Sequence, residues 1–133
     1  GHAVFNSKKA ACIGCHAVAY VGGQIGPDLT LVGKIRTERD LLEAIVYPSA
    51  SFVRSFEPLL VVTTDGRQFS GLIRQQSPQE IVLTTGPLTS ERIAREQIEE
   101  IRPGQTSLMP EGLDKLLLPQ ELGDLIAYLK SRQ

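Results

Sequence analysis

Apolar residues recur along this chain with two different periods, and the change of period divides it. In residues 38–46, Leu41, Leu42, Ile45 and Val46 fall on one side of a helix. Thr37-Glu38-Arg39-Asp40 gives it a capping-box-like start and Pro48 ends it. Residues 119–131 repeat the helical spacing with Leu122, Leu125, Ile126 and Leu129. Pro119 is a favoured first-turn residue, with Glu121 and Asp124 early and Lys130 and Arg132 late, as the helix dipole favours. Leu118 stands where a polar N-cap is usual. Residues 3–11 predict a further short helix, with Val4 and Phe5 on an apolar face and Lys8-Lys9 on a solvated one. The stretch Gly22-Gly23-Gln24-Ile25-Gly26-Pro27-Asp28-Leu29 is too rich in turn residues for a regular element and predicts a loop.

The middle of the chain reads with a strand's composition instead. Leu59-Leu60-Val61-Val62-Thr63-Thr64 is apolar and β-branched, Asp65-Gly66 is a strong hairpin signal, and residues 68–75 can run back antiparallel. Ser77-Pro78 predicts another turn, residues 80–85 a third strand, Gly86-Pro87 a break and residues 92–95 a fourth strand. Ile98 and Ile101 flank Glu99-Glu100 before Pro103-Gly104 closes the region. These short strands predict a small, curved antiparallel sheet or partly open barrel. Both sides of residues 59–62 are apolar, so the sheet is expected to pack against the rest of the chain.

At 133 residues the chain suits one ordinary domain, or a small domain carrying a sizeable insertion. A net charge of -1 with scattered Lys and Arg offers no basic field for nucleic acid. No apolar run approaches the roughly 20 residues that span a bilayer, so no direct membrane insertion is expected. Trp is absent and Phe and Tyr are few, which leaves the helical part a thin core unless a cofactor supplies buried apolar surface.

Cys12-Ile13-Gly14-Cys15-His16 names that cofactor. Cys-x-x-Cys-His is the attachment motif of a covalent c-type haem: each thiol adds to a vinyl group, and the following imidazole is aimed at iron. A structural zinc site would need four ligands, and Cys12, Cys15, His16 and the distant His2 make a poor set. A thioredoxin-like pair would need a βαβ context that is missing here. Haem iron bound by one His has a second axial position, for which a thioether is a common ligand in electron carriers. The chain has a single Met, Met109, in Ser107-Leu108-Met109-Pro110; a lone Met is otherwise core filler, and His2 is its competitor. Lys34, Arg36 and Arg54 are candidates to neutralise haem propionates, against the simpler reading of solvated charges.

With these residues in place, the chain resembles the small c-type cytochromes that have an N-terminal haem motif and a C-terminal Met ligand. The matching residues are Gly1, Phe5, Cys12-Ile13-Gly14-Cys15-His16, Gly26-Pro27-Asp28-Leu29, Met109-Pro110 and Leu125-Ile126-Ala127-Tyr128-Leu129. The resemblance implies that the first and last helices cross near Gly1, Phe5 and Tyr128. It also implies that the Pro27 carbonyl meets His16 and that Leu29 packs on the haem. It covers residues 1–56 and 104–133, leaving 57–103 as an inserted β subdomain with no counterpart in the simple members. With that insertion, the chain is similar over nearly its whole length to the haem-binding domain of planctomycete and verrucomicrobial secreted proteins. There the domain commonly closes a larger polypeptide with propeller or dehydrogenase-like modules. The inserted strands resemble Sm-like or SH3-like small barrels at the level of fold alone.

The fold class expected is therefore a mainly α cytochrome c-like haem domain with an inserted small antiparallel β-sheet or partly open barrel, α+β overall. The function expected is electron transfer without substrate chemistry: one haem c on Cys12 and Cys15, iron held by His16 and Met109, and Pro27 and Leu29 shaping the site. The expected partner is a redox protein or an attached dehydrogenase module. Haem c is attached outside the cytoplasm, so a periplasmic or otherwise exported location is expected. With no cleavable leader at its start, the chain is expected to be a mature or excised segment. Two other readings stand beside this one: a five-coordinate haem peroxidase or gas sensor, and an adaptor that docks through the inserted sheet.

Overall fold

The computed structural model describes residues 1–133, which form two compact units. The first comprises Gly1–Ser51 with Met109–Gln133, and the second Phe52–Leu108. No helix is long and apolar enough to cross a membrane.

The first unit carries four helices: α1 (His2–Phe5), α2 (Val32–Ile35), α3 (Glu38–Val46) and α4 (Pro119–Lys130). A two-strand hairpin joins β1 (Ala17–Val18) to β2 (Val21–Gly22), and single 3-10 turns cover Cys12–Gly14 and Leu113–Leu116. The capping box of α3 forms in full, with Asp40 N–H donating to Thr37 Oγ1 at 3.1 Å and Thr37 N–H to Asp40 Oδ2 at 2.9 Å. At the start of α4 the Leu118 side chain caps nothing. Glu121 reaches back instead, and its carboxylate accepts the Leu118 N–H at 2.9 Å, which satisfies one orphan donor without a polar N-cap. Lys9 pairs with the same carboxylate at 2.9 Å and ties the segment after α1 to α4.

The expected helix over 3–11 stops after one turn. Asn6 Nδ2 donates to the His2 carbonyl and Ser7 Oγ to the Val4 carbonyl, and Ala11 adopts φ 51°, outside helical geometry. Gly1 and α4 are so close that a Cβ on Gly1 would collide with the Asp124 carbonyl and with Tyr128. Phe5 and Tyr128 meet there, with ring centroids 5.7 Å apart. Around this crossing Phe5, Ala10, Val18, Leu41, Ile45, Leu117, Leu125 and Leu129 form the unit's buried core.

The second unit is one antiparallel sheet of β3 (Leu59–Thr63), β4 (Gln68–Gln76), β5 (Glu80–Thr84), β6 (Ser90–Ala94) and β7 (Ile98–Pro103), ordered β6-β5-β4-β3-β7. Consecutive strands pair as hairpins, and β7 returns to pair with β3 after a 3-10 turn at Arg95–Gln97. Register shifts between Val62 and Thr63 and between Ile73 and Gln75 mark bulges, which bend a sheet and strengthen its twist. Val61, Ile81, Leu83 and Ile93 form its own core, with Phe69 and Ile98 beside them. In the β3–β4 turn only Gly66 takes positive φ, at 86°, and Thr63 N–H donates to the Arg67 carbonyl at 2.9 Å. The loop is therefore a type I turn followed by a left-handed glycine, one residue longer than the tightest Asp-Gly hairpin.

The expectation of a mainly α fold is overturned. Helix accounts for 29% of the chain, in four short α-helices and three 3-10 turns, against a five-strand sheet and a two-strand sheet. The helical segments are limited by their own punctuation: polar side chains after Phe5, an extended Arg36 after α2, and Pro48 two residues after α3. The 59–103 region meanwhile places 30 of its 45 residues in paired strands.

Candidate functional site

The pentapeptide 12–16 is built as a tight turn. Ala11 enters it left-handed, Cys15 N–H and His16 N–H both donate to the Cys12 carbonyl at 3.1 and 2.9 Å, and Gly14 N–H donates to Ala11 at 3.0 Å. Cys12 and Cys15 are half-buried and unbridged. Burial pushes both thiols up from their ordinary value, with a smaller repulsion from Cys15 adding at Cys12. His, Cys, Asp and Glu side chains gather nowhere into a group of three or more suited to a metal ion.

His16 sits differently from its neighbours. Its Nδ1 lies 2.7 Å from the Pro27 carbonyl oxygen, and since a carbonyl only accepts, Nδ1 carries the proton. Burial pushes the imidazole below its ordinary value, with the Pro27 bond opposing it more weakly. The neutral ring thus presents Nε2 as its lone-pair nitrogen, the form in which histidine ligates metal.

The expected loop over 22–29 gives up only Gly22, to β2, and the β1–β2 hairpin fills the stretch between the motif and that loop. Ala19 and Tyr20 turn that hairpin with φ of 50° and 69°, a conformation rare for such residues, and Ala19 N–H is held by Thr30 Oγ1 at 2.8 Å. Further on, Gly23 N–H donates to Ile13 at 2.8 Å, Gly26 N–H to Cys15 at 2.9 Å and Leu29 N–H to Ala17 at 2.9 Å. This ladder brings Pro27 to His16.

Leu29, Cys12, Ile13 and Met109 all pack against the buried core of the first unit, so one apolar cluster gathers two haem-motif residues with the loop leucine and the thioether. His2 lies edge-on to Tyr128 with ring centroids 5.6 Å apart, which assigns it to the crossing of α1 and α4. Lys34, Arg36 and Arg54 are exposed, and Arg54 belongs to the second unit. A hollow of about 350 Å³ lined by Gln75, Gln76, Ser77, Glu80 and Val82 lies on the sheet, and its walls hold no thiol, imidazole or thioether. Sequence reasoning passed over Gly26, which lies against the His16 ring; its position in a turn-rich stretch disguised it as a turn residue.

The donor set fits a covalently attached haem: two unbridged thiols on one turn, a neutral imidazole with Nε2 as its lone-pair nitrogen, and a thioether on the same apolar cluster. No protein-family model matches the chain, and comparison with curated proteins finds no match.

Proposed function

We propose that the first unit is an electron carrier holding one haem c, bound through Cys12 and Cys15, with His16 and Met109 as axial ligands. The observation that carries this reading is the 2.7 Å bond from His16 Nδ1–H to the Pro27 carbonyl, immediately after an unbridged Cys-x-x-Cys. When bound, such a group supplies a one-electron ferric–ferrous couple. The chain's own residues do the rest. The Pro27 carbonyl fixes the His16 tautomer and makes Nε2 a stronger donor. Met109 offers a thioether from the cluster that also receives Cys12 and Leu29. In the same unit Leu31, Ile35, Leu116 and Leu118 are 50%, 73%, 56% and 64% exposed, apolar surface that a large flat apolar group would bury.

With both axial positions taken, the reading assigns no substrate chemistry to the iron. Electrons pass to a redox partner protein or to an attached dehydrogenase module, in a periplasmic or otherwise exported setting. The resemblance to secreted haem-binding domains supports that context.

Spectra of the protein matured in a haem-attaching host test the proposal. Haem should resist acid-acetone extraction, and the oxidised form should show a weak charge-transfer band toward the red that disappears in Met109→Ala. Extractable haem would overturn covalent attachment. A band unchanged in Met109→Ala would overturn the thioether ligand.

A further inference from the structure

Resting on the haem reading, we infer that Gly26 is a positioning residue that sets the plane of the His16 imidazole. A Cβ on Gly26 would lie 2.7 Å from His16 Cε1, 2.8 Å from Nδ1 and 3.1 Å from Nε2. Three nearly equal distances place that carbon over the face of the ring near Cε1. Had it approached in the ring plane, both nitrogens would lie well beyond Cε1. The imidazole therefore lies face-on to the position a Cβ would take, too close for any side chain at 26.

Gly26 cannot retreat from this contact. Its N–H is bonded to the Cys15 carbonyl at 2.9 Å, and the loop is tied down on either side by Gly23 to Ile13 and Leu29 to Ala17. Gly23 is held equally close, since a Cβ there would collide with the Gly14 carbonyl. Two constraints thus converge on one ring. The Pro27 carbonyl takes its edge and fixes the tautomer, while the Gly26 backbone takes its face and fixes the rotation about χ2. The orientation of the axial imidazole is set by a loop ten residues beyond the ligand. A side chain at position 26 must turn the ring and stretch the Pro27 bond.

The test compares the oxidised haem protein with its Gly26→Ala variant by paramagnetic NMR, in which the spread of the haem methyl shifts reports the plane of the axial imidazole. Gly26→Ala should reorder those shifts and lose the slowly exchanging His16 Nδ1–H signal. Gly123→Ala, on α4 where a Cβ meets nothing within 4 Å, should leave both unchanged. A merely structural role would lower the melting temperature and leave the methyl pattern intact, which would overturn the inference. Should Gly26→Ala yield too little haem protein, amide exchange of residues 22–29 in His16→Ala chains that retain thioether-bound haem, with and without Gly26→Ala, decides. With the ring gone the alanine should be tolerated, and continued disruption would overturn the proposal. If the wild-type chain proved to carry no covalent haem, the haem reading would fail separately. The ring contact would still be read in the unloaded chain from the protected Nδ1–H.

Discussion

The two units bury their apolar residues by different means. In the sheet, Val61 and Leu83 are fully buried, Ile81 and Ile93 nearly so, and the strands that carry them belong to one hydrogen-bonded sheet. The core there closes on itself. In the helical unit, ten partly buried side chains surround the eight buried ones, and eight of the twelve large exposed apolar residues of the chain belong to it. A sheet recruits its partners through the backbone, whereas helices of 4, 4, 9 and 12 residues are held together mainly by side chains, the Gly33 N–H to Arg132 carbonyl bond at 2.7 Å being a backbone tie between α2 and the chain just past α4. On the proposed reading, haem makes up that deficit.

Removing the attachment is the strongest way to break this contrast. In Cys12→Ala/Cys15→Ala, covalent haem should be absent by pyridine haemochrome assay. Hydrogen exchange should find the amides of α3 and α4 unprotected while those of β3 to β5 keep their protection. Equal loss in both units would show that the sheet depends on the haem unit for its stability. Truncating the two cores sharpens the comparison. Leu83→Ala, at a site with no slack, should cost about 2–5 kcal/mol in chemical denaturation, and Leu125→Ala a similar amount in the haem-loaded protein. A cost below about 1 kcal/mol for Leu125→Ala would mean that the helical core is loosely packed even with its cofactor.

Legibility followed the same division. The strands could be read because Asp65-Gly66, Ser77-Pro78 and Gly86-Pro87 punctuate β-branched runs, and each run became a strand within a few residues of its expected bounds. Helix α3 was legible from Thr37 and Asp40, whose side chains make the two bonds that the spacing implies. The first helix was misread because Asn6 and Ser7 are compatible with a helical pattern but spend their side chains on the backbone. The β1–β2 hairpin was missed because Ala19-Tyr20 is no turn dipeptide, and only the surrounding bonds make their left-handed backbone affordable. Helix α2 is a single turn, too short for any periodicity to show. The error in fold class came from the resemblance to small helical cytochromes, which carries no information on how short the helices of this chain are. At the site, the motif marked Cys12, Cys15 and His16, but the face-on contact at Gly26 depends on a loop path that no spacing encodes.

Smaller effects test the local geometry. Gly66→Val should destabilise the sheet by about 1–2 kcal/mol in thermal melts, entirely through the left-handed backbone, since a Cβ there meets nothing within 4 Å. Gly66→Asn, which tolerates that conformation, should recover most of the loss. Thr37→Ala should cost about 1 kcal/mol. Asp40 adds a pH signature to the same cap. The Thr37 backbone and side-chain bonds hold its carboxyl below the ordinary 3.8, so its contribution is complete above that value and fades as pH falls through the lower folded one. Asp40→Asn, which cannot ionise, should remove this acid limb in a series of melts, and an unchanged limb would show that Asp40 does not carry it.

The long reach of the Lys9–Glu121 and Lys130–Gly33 bonds, which span 112 and 97 positions, bears on the order in which the chain organises itself. Helical proteins usually fold quickly because their contacts are local, and sheets slowly because theirs are not. Here the relation is inverted. Strands β3 to β6 pair with successive neighbours, so most of the sheet can form from chain already at hand, while Phe5 must wait for Tyr128. A nascent chain that has reached residue 110 holds a nearly complete sheet and a Cys-x-x-Cys-His turn whose closing helix does not yet exist. On the proposed reading, that interval leaves the thiols and the imidazole open to the machinery that attaches haem.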